Sequence, residues 1–392
     1  MFPDRFSNLP EYAFPRLRAL LDPLEPGGEE VHMTIGEPKH AFPAWVKDII
    51  AENADDFGRY PTNEGTPGLL QAIGDWVSKR FDVKLDPQSQ IMALNGTREG
   101  LYNAAMALVP EQVRGEQALI LMPNPFYQVY MVAAMSIGAK PIFVPATRGT
   151  GYLPDYAGLP TDMLNRTAAA YICSPSNPQG AVASREYLRE LIELAEHFDF
   201  KIFADECYSE IYRKDAPPGA LDVAQEMGAD PERVVIFHSL SKRSNLPGLR
   251  SGFIAGGPES IKRMRTLRAF AGAPLPLPLQ AAAEAVWRDE EHVIENRRLY
   301  QEKYTVADQV FSSIQAYQGP EAGFFLWLPV ENGEAATKKL WQETGIRVLP
   351  GEYLARDVNG QNPGREYIRV AMVTPKEEME HALIRLRDCI YK

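Results

Sequence analysis

The feature that most constrains this chain is an alternation running from Leu85 to Gly257, in which short apolar and β-branched runs repeatedly give way to stretches of helical periodicity. A mostly parallel sheet covered by helices reads this way, because each parallel pair needs a crossover and the crossover is usually a helix. The expected strands are 118–122, 141–144, 169–173, 201–204, 234–237 and 252–255. Helices are expected from Arg98, where Leu101, Ala104, Ala105 and Leu108 recur at i, i+3, i+4 and i+7, and from the capping residue Ser184 to Phe198.

Beyond about residue 280 the pattern changes. An Ala-rich helix at 281–287 and a charged helical stretch through Glu302 precede strand candidates 324–328, 346–349 and 367–373, which alternate with helices at 334–343 and 375–390. This predicts a smaller α+β domain. The expected division is an N-terminal segment, 1–45, belonging to the small domain, a large domain, 46–280, and the C-terminal small domain, 281–392. Whether residues 15–21 pack on the C-terminal part is left open.

With 392 residues, 45% of them hydrophobic, the chain has apolar surface enough for a large core. Its 41 basic and 52 acidic residues leave a net charge of −11, which disfavours gripping nucleic acid by bulk charge. Cys173, Cys207 and Cys389 are too few and too scattered for a disulfide framework, and no CxxC pair suggests zinc. Residues Met1 to Ser7 lack a basic region followed by an apolar run, and no uninterrupted apolar stretch reaches about 18 residues. The expectation is a cytoplasmic protein without membrane or nucleic-acid partners and without a metal.

In an open α/β sheet the ligand site lies beyond the carboxyl ends of the strands. There the sequence places His238-Ser239-Leu240-Ser241-Lys242, Asp205-Glu206-Cys207-Tyr208, Ser174-Pro175-Ser176-Asn177-Pro178 and Pro123-Asn124-Pro125-Phe126-Tyr127. A lysine at a strand end among hydroxyls and basic groups is a candidate for imine formation, which requires an unprotonated amine. Taken alone it reads as a solvated surface lysine. Asp205 suits a protonated ring nitrogen, or equally a helix cap or ion pair, and Tyr208 suits a phenolic oxygen. Asn177 by itself is ordinary turn chemistry, and Tyr127 serves either a flat ring or a core. Asn95-Gly96-Thr97-Arg98 opens a helix whose free N–H groups suit a phosphate, with a plain helix entry as the alternative. Arg369 interrupts an apolar strand, where its guanidinium needs either a carboxylate ligand or a structural ion pair.

Taken in chain order these segments resemble the class I/II aminotransferases of the pyridoxal 5′-phosphate (PLP) transferase fold type I, over nearly the whole chain. The resemblance implies a large domain with a mostly parallel seven-stranded sheet flanked by helices. It also implies that Lys242 carries the cofactor as a Schiff base and is the proton shuttle, with Asp205 at the ring nitrogen and Asn177 and Tyr208 at the phenolic oxygen. Tyr127 is expected to stack on the ring, and Gly96, Thr97, Arg98, Ser239, Ser241 and Arg250 to hold the phosphate. Ile35-Gly36-Glu37-Pro38 resembles the substrate-side turn, so Gly36 and Asn177 join Arg369, the α-carboxylate arginine, as substrate-binding residues. Arg59-Tyr60-Pro61 resembles the segment whose tyrosine reaches the neighbouring subunit's phosphate, which implies a homodimer.

Longer strings, among them 35–40, 123–128, 205–212, 239–252 and 348–356, resemble the bacterial N-succinyldiaminopimelate aminotransferases of lysine biosynthesis. The implied reaction is ping-pong transfer from N-succinyl-LL-2,6-diaminopimelate to 2-oxoglutarate. The stretch 270–278 departs from that pattern. Aspartate, alanine or aromatic donors, a PLP lyase and a non-catalytic amino-acid sensor are the alternatives. Arg16, Arg18, Lys39 and Arg243 are the cationic candidates for distal carboxylates.

Overall fold

The computed structural model describes Phe6, Ser7, Leu9 and residues 11–392, so most of the Met1–Ser7 stretch read for a leader lies outside the described residues. Seven strands form the main sheet: β1 (Ile91–Leu94), β2 (Leu119–Asn124), β3 (Lys140–Pro145), β4 (Thr167–Cys173), β5 (Lys201–Asp205), β6 (Val234–Ser239) and β7 (Gly252–Ala255). Their spatial order is β1-β7-β6-β5-β4-β2-β3, and only β7 runs against its neighbours. Because β7 is antiparallel to both β6 and β1, the carboxyl end of β1 and the start of β7 lie on the same edge as the carboxyl ends of the parallel strands. Every sheet-borne segment singled out above therefore converges on one edge.

The central strands read as apolar runs because both faces are covered. All seven residues of β4 are buried, with apolar clusters on either side of the sheet. Helix Thr97–Leu108 buries the four residues its periodicity picked out. Helix Arg185–Phe198 begins at Ser184, whose hydroxyl accepts from the Tyr187 N–H at 3.2 Å.

A second core gathers Tyr300, Tyr304, Phe324, Leu326, Val370 and Leu383 around a three-stranded antiparallel sheet: β8 (Phe325–Pro329), β9 (Leu349–Pro350) and β10 (Tyr367–Ala371), with β10 in the middle. Helix Ala13–Leu21 buries Ala13, Leu17 and Leu21 against Trp341, Leu349 and Tyr353. Val31–His32 pairs in parallel with Ile346–Arg347. The single strand expected at 346–349 is thus two short ones in different sheets.

Helix Leu277–Arg288 runs unbroken through residues 280 and 281 and sends Ala282, Ala283, Val286 and Trp287 into the large core. The helix begins within the Pro-rich stretch because Pro278 falls in its first turn, where its missing N–H would have had no partner. Among the described residues no helix is long and apolar enough to cross a membrane.

Candidate active site

A cavity of about 380 Å³ opens at the carboxyl edge of the main sheet, roofed by the N-terminal segment and by the second core. Ser239 ends β6 and caps the one-turn helix Leu240–Arg243: its hydroxyl accepts from the Ser241 N–H at 3.1 Å and donates to the Ser241 hydroxyl at 3.0 Å. This turn aims Lys242 into the cavity, where its amine donates to the Gly36 carbonyl and lies 5.3 Å from the centre of the Phe324 ring. Burial lowers the Lys242 pKa to about 8, and the Arg369 charge pushes the same way. A substantial neutral fraction follows near pH 8, as imine chemistry requires.

Asp205, at the end of β5, is buried, which pushes its carboxyl above the ordinary range. Donors oppose that shift: the Tyr130 hydroxyl gives a hydrogen bond to Oδ2 at 2.7 Å, and the Cys207 N–H approaches Oδ1 at 3.4 Å. Arg369, on β10, is also buried, and its guanidinium falls to about 10 through desolvation. One terminal nitrogen donates to Asn177 Oδ1 at 3.0 Å and the other to the Thr34 carbonyl at 2.7 Å, while Nε has no hydrogen-bond partner among the described residues. Among the described residues no carboxylate pairs with it, so the structural ion-pair reading of Arg369 fails and its charge is left without a counter-ion. Tyr208 is buried edge-on against Phe324 and Phe325, and desolvation raises its phenol well above the ordinary value.

At the far end, Gly96 precedes helix Thr97–Leu108 with φ +84°, and a Cβ there would come within 2.2 Å of Arg250 Nη2. Arg250 adopts φ +57° and donates to the carbonyls of Pro247 at 2.9 Å and Asn95 at 3.1 Å, which aims its guanidinium at the helix N-terminus. Open N–H groups, two serine hydroxyls and a guanidinium make a donor set for a dianion. Arg98 Nε donates to the Tyr127 hydroxyl at 2.8 Å, so its side chain extends along the cavity wall rather than only lending its N–H.

Gly36, Thr97, Arg98, Tyr127, Asn177, Asp205, Tyr208, Ser239, Ser241, Lys242, Arg250 and Arg369 all line this one cavity. Gly96 stands behind it, against Arg250, and Tyr60 is fully exposed elsewhere. Of the cations considered for distal carboxylates, Arg243 is buried and committed to Glu290 at 2.6 Å and to the Val286 and Asp289 carbonyls, which removes it as a substrate ligand. Arg16 pairs with Glu334 at 2.9 Å and lies over Tyr353. The sequence reading missed Tyr130, Cys207, Phe325 and the mouth residues Tyr12, Phe14 and Glu37.

The sequence pattern of the family described as aminotransferase class I and II matches residues 29–386. This chain belongs to that family. It is 30% identical over 401 aligned residues to the LL-diaminopimelate aminotransferase of Moorella thermoacetica, covering 99% of this chain and 98% of the relative. An aminotransferase from Neisseria meningitidis superposes with a TM-score of 0.93 at 35% identity, over 98% of both chains. A probable N-succinyldiaminopimelate aminotransferase from Thermus thermophilus shares the fold, with a TM-score of 0.84 at 23% identity over 96% of this chain and all of that one.

The chain is a PLP-dependent aminotransferase of fold type I, as the resemblance implied. Its residues fit that cofactor: a deep lysine of lowered pKa, a buried carboxylate with no lysine or arginine partner among the described residues, and a glycine-opened helix N-terminus against Arg250.

Proposed function

We propose that this enzyme moves an amino group from N-succinyl-LL-2,6-diaminopimelate to 2-oxoglutarate in two half-reactions. The observation that carries the amino-acid chemistry is Arg369, a buried guanidinium without a carboxylate partner among the described residues, in the same cavity as Lys242. Arg369 and Asn177 hold the substrate's α-carboxylate, and Gly36 contributes its backbone. PLP supplies an electron sink for the bond broken at Cα. Lys242 anchors it, then its Nζ takes and returns the Cα proton, since a pKa lowered to about 8 lets the amine exchange a proton near neutral pH.

Asp205 keeps a proton on the ring nitrogen, Asn177 and Tyr208 hold the phenolic oxygen, and Tyr127 covers one ring face. Thr97, Arg98, Ser239, Ser241 and Arg250 hold the phosphate, with Gly96 shaping that end. A homodimer in which Tyr60 reaches the neighbour's phosphate accords with its full exposure and with Phe270 at 90% exposed. The two separate cores support the domain division, with helix Leu277–Arg288 packed into the larger one. Three free cysteines accord with a cytoplasmic location.

For the distal carboxylate the candidate is the Arg98 side chain, which lines the cavity and forms no ion pair among the described residues. A second reading, LL-diaminopimelate itself, is favoured by the Moorella relative and by Glu37, a cavity-wall carboxylate suited to a free distal ammonium group. Glutamate formation from 2-oxoglutarate is measured with each diaminopimelate, aspartate, alanine and phenylalanine as donors. The succinylated donor is expected to lead, and Arg98→Ala to lower its kcat/KM about tenfold while lowering alanine's much less. Fast aspartate turnover with no response to either diaminopimelate overturns the assignment.

A further inference from the structure

Tyr130 stands outside the roles described so far, yet it touches Asp205 and Tyr127 directly and reaches a third part of the site, the helix Thr97–Leu108, through Tyr171. Its hydroxyl donates to Asp205 Oδ2 at 2.7 Å. Its ring meets Tyr127 edge-on, with centroids 5.7 Å apart and planes at 90°. Its other face stacks on Tyr171, at 4.4 Å and 9°, and the Tyr171 hydroxyl donates at 2.7 Å to the Leu101 carbonyl on helix Thr97–Leu108. Both tyrosines are fully buried. No lysine or arginine pairs with Asp205 among the described residues, so neutral donors carry much of its charge, and Tyr130 gives the shortest of these hydrogen bonds.

We propose that Tyr130 is a positioning residue, whose hydroxyl keeps the Asp205 carboxylate ionised and turned toward the cofactor's ring nitrogen while its ring braces Tyr127 from behind. This rests on the reading that Asp205 meets that nitrogen. The physics is local: a buried carboxylate that loses a donor takes up a proton more readily, and a neutral Asp205 no longer stabilises a protonated nitrogen. Tyr171 acts one step further out, since its bond to Leu101 fixes the stack rather than the carboxylate.

The test is a double-mutant cycle of Tyr130→Phe with Asp205→Asn, read in three ways: the dissociation constant of PLP, the pH midpoint of the loaded enzyme's visible band, and kcat/KM. Far-UV circular dichroism of each apoprotein reports folding. With Asp205 present, Tyr130→Phe is expected to weaken PLP binding about tenfold and to move the pH midpoint, in line with losing a hydrogen bond to a charged group. In the Asp205→Asn background the same substitution is expected to change affinity by no more than about twofold, because the charge it serves is gone. Equal losses in both backgrounds overturn the proposal and leave Tyr130 as packing. Should Asp205→Asn alone leave affinity and spectrum at wild-type values, it is the Asp205 reading that falls. Tyr130→His keeps a ring N–H donor and covers the case in which phenylalanine is not tolerated: partial return of the wild-type midpoint supports the donor role, and a midpoint no closer to wild type than that of Tyr130→Ala counts against it.

Discussion

Arg369→Met separates what the α-carboxylate site does for catalysis from what it costs the fold. Burial lowers the guanidinium to about 10, more than two units below its ordinary value. At 1.36 kcal/mol per unit, keeping it charged in the folded state costs on the order of 3 kcal/mol. The folded pKa lies below the unfolded one, so this cost applies in full at pH 7 and fades only as pH rises through 10. Methionine removes the charge at similar length but deprives Asn177 and the Thr34 carbonyl of one donor each, at about 1 kcal/mol apiece. The variant should therefore be about 1 kcal/mol more stable than wild type, measured by urea unfolding of the apoprotein at unchanged m-value. Its kcat/KM should fall about a thousandfold for every amino-acid donor, because a bidentate charge-assisted pair with the substrate is lost. Destabilisation beyond about 2 kcal/mol would mark Arg369 as a structural residue, and activity within about tenfold of wild type would remove it from the substrate site.

Two further outcomes follow from the geometry. The rate at which PLP becomes covalently attached to apoprotein should rise with pH and level off above about 8, as Lys242 loses its proton; a rate that does not change with pH below about 8 refutes the assigned state of the amine. Gly96→Ala places a Cβ within 2.2 Å of Arg250 Nη2 at a φ of +84° and should weaken PLP binding in a fluorescence titration while leaving helix content intact; unchanged affinity would show that this end does not hold the phosphate.

Most of the cavity wall was legible because its residues break local patterns. Lys242, Asp205 and Asn177 follow apolar runs that end at the sheet edge, and Arg369 is a cation inside an apolar strand. Tyr130 breaks nothing. In helix Gln128–Ser136 it reads as one more core aromatic, and only the fold reveals that its hydroxyl faces β5. Strand β1 escaped for a similar reason, since its four buried residues follow a single helical turn and pair with a partner about 160 residues later. The split of 346–349 is likewise set by tertiary contacts: Val31–His32 claims the first half and β10 the second. Arg243, by contrast, looked available because charge in a sequence says nothing of what already neutralises it.

The segment around Met33 acts as a ruler. Met33 accepts from the Ala371 N–H, Thr34 accepts from Arg369, and Gly36 accepts from Lys242. The two cations proposed to meet the substrate belong to different cores, Arg369 on β10 and Lys242 beyond β6, yet both are held against the same stretch of backbone. From Thr34 to Gly36 is two residues, at most about 7 Å of chain. The separation between Lys242 and Arg369 is thereby set by a short piece of connecting chain that belongs to neither of the strands bearing them.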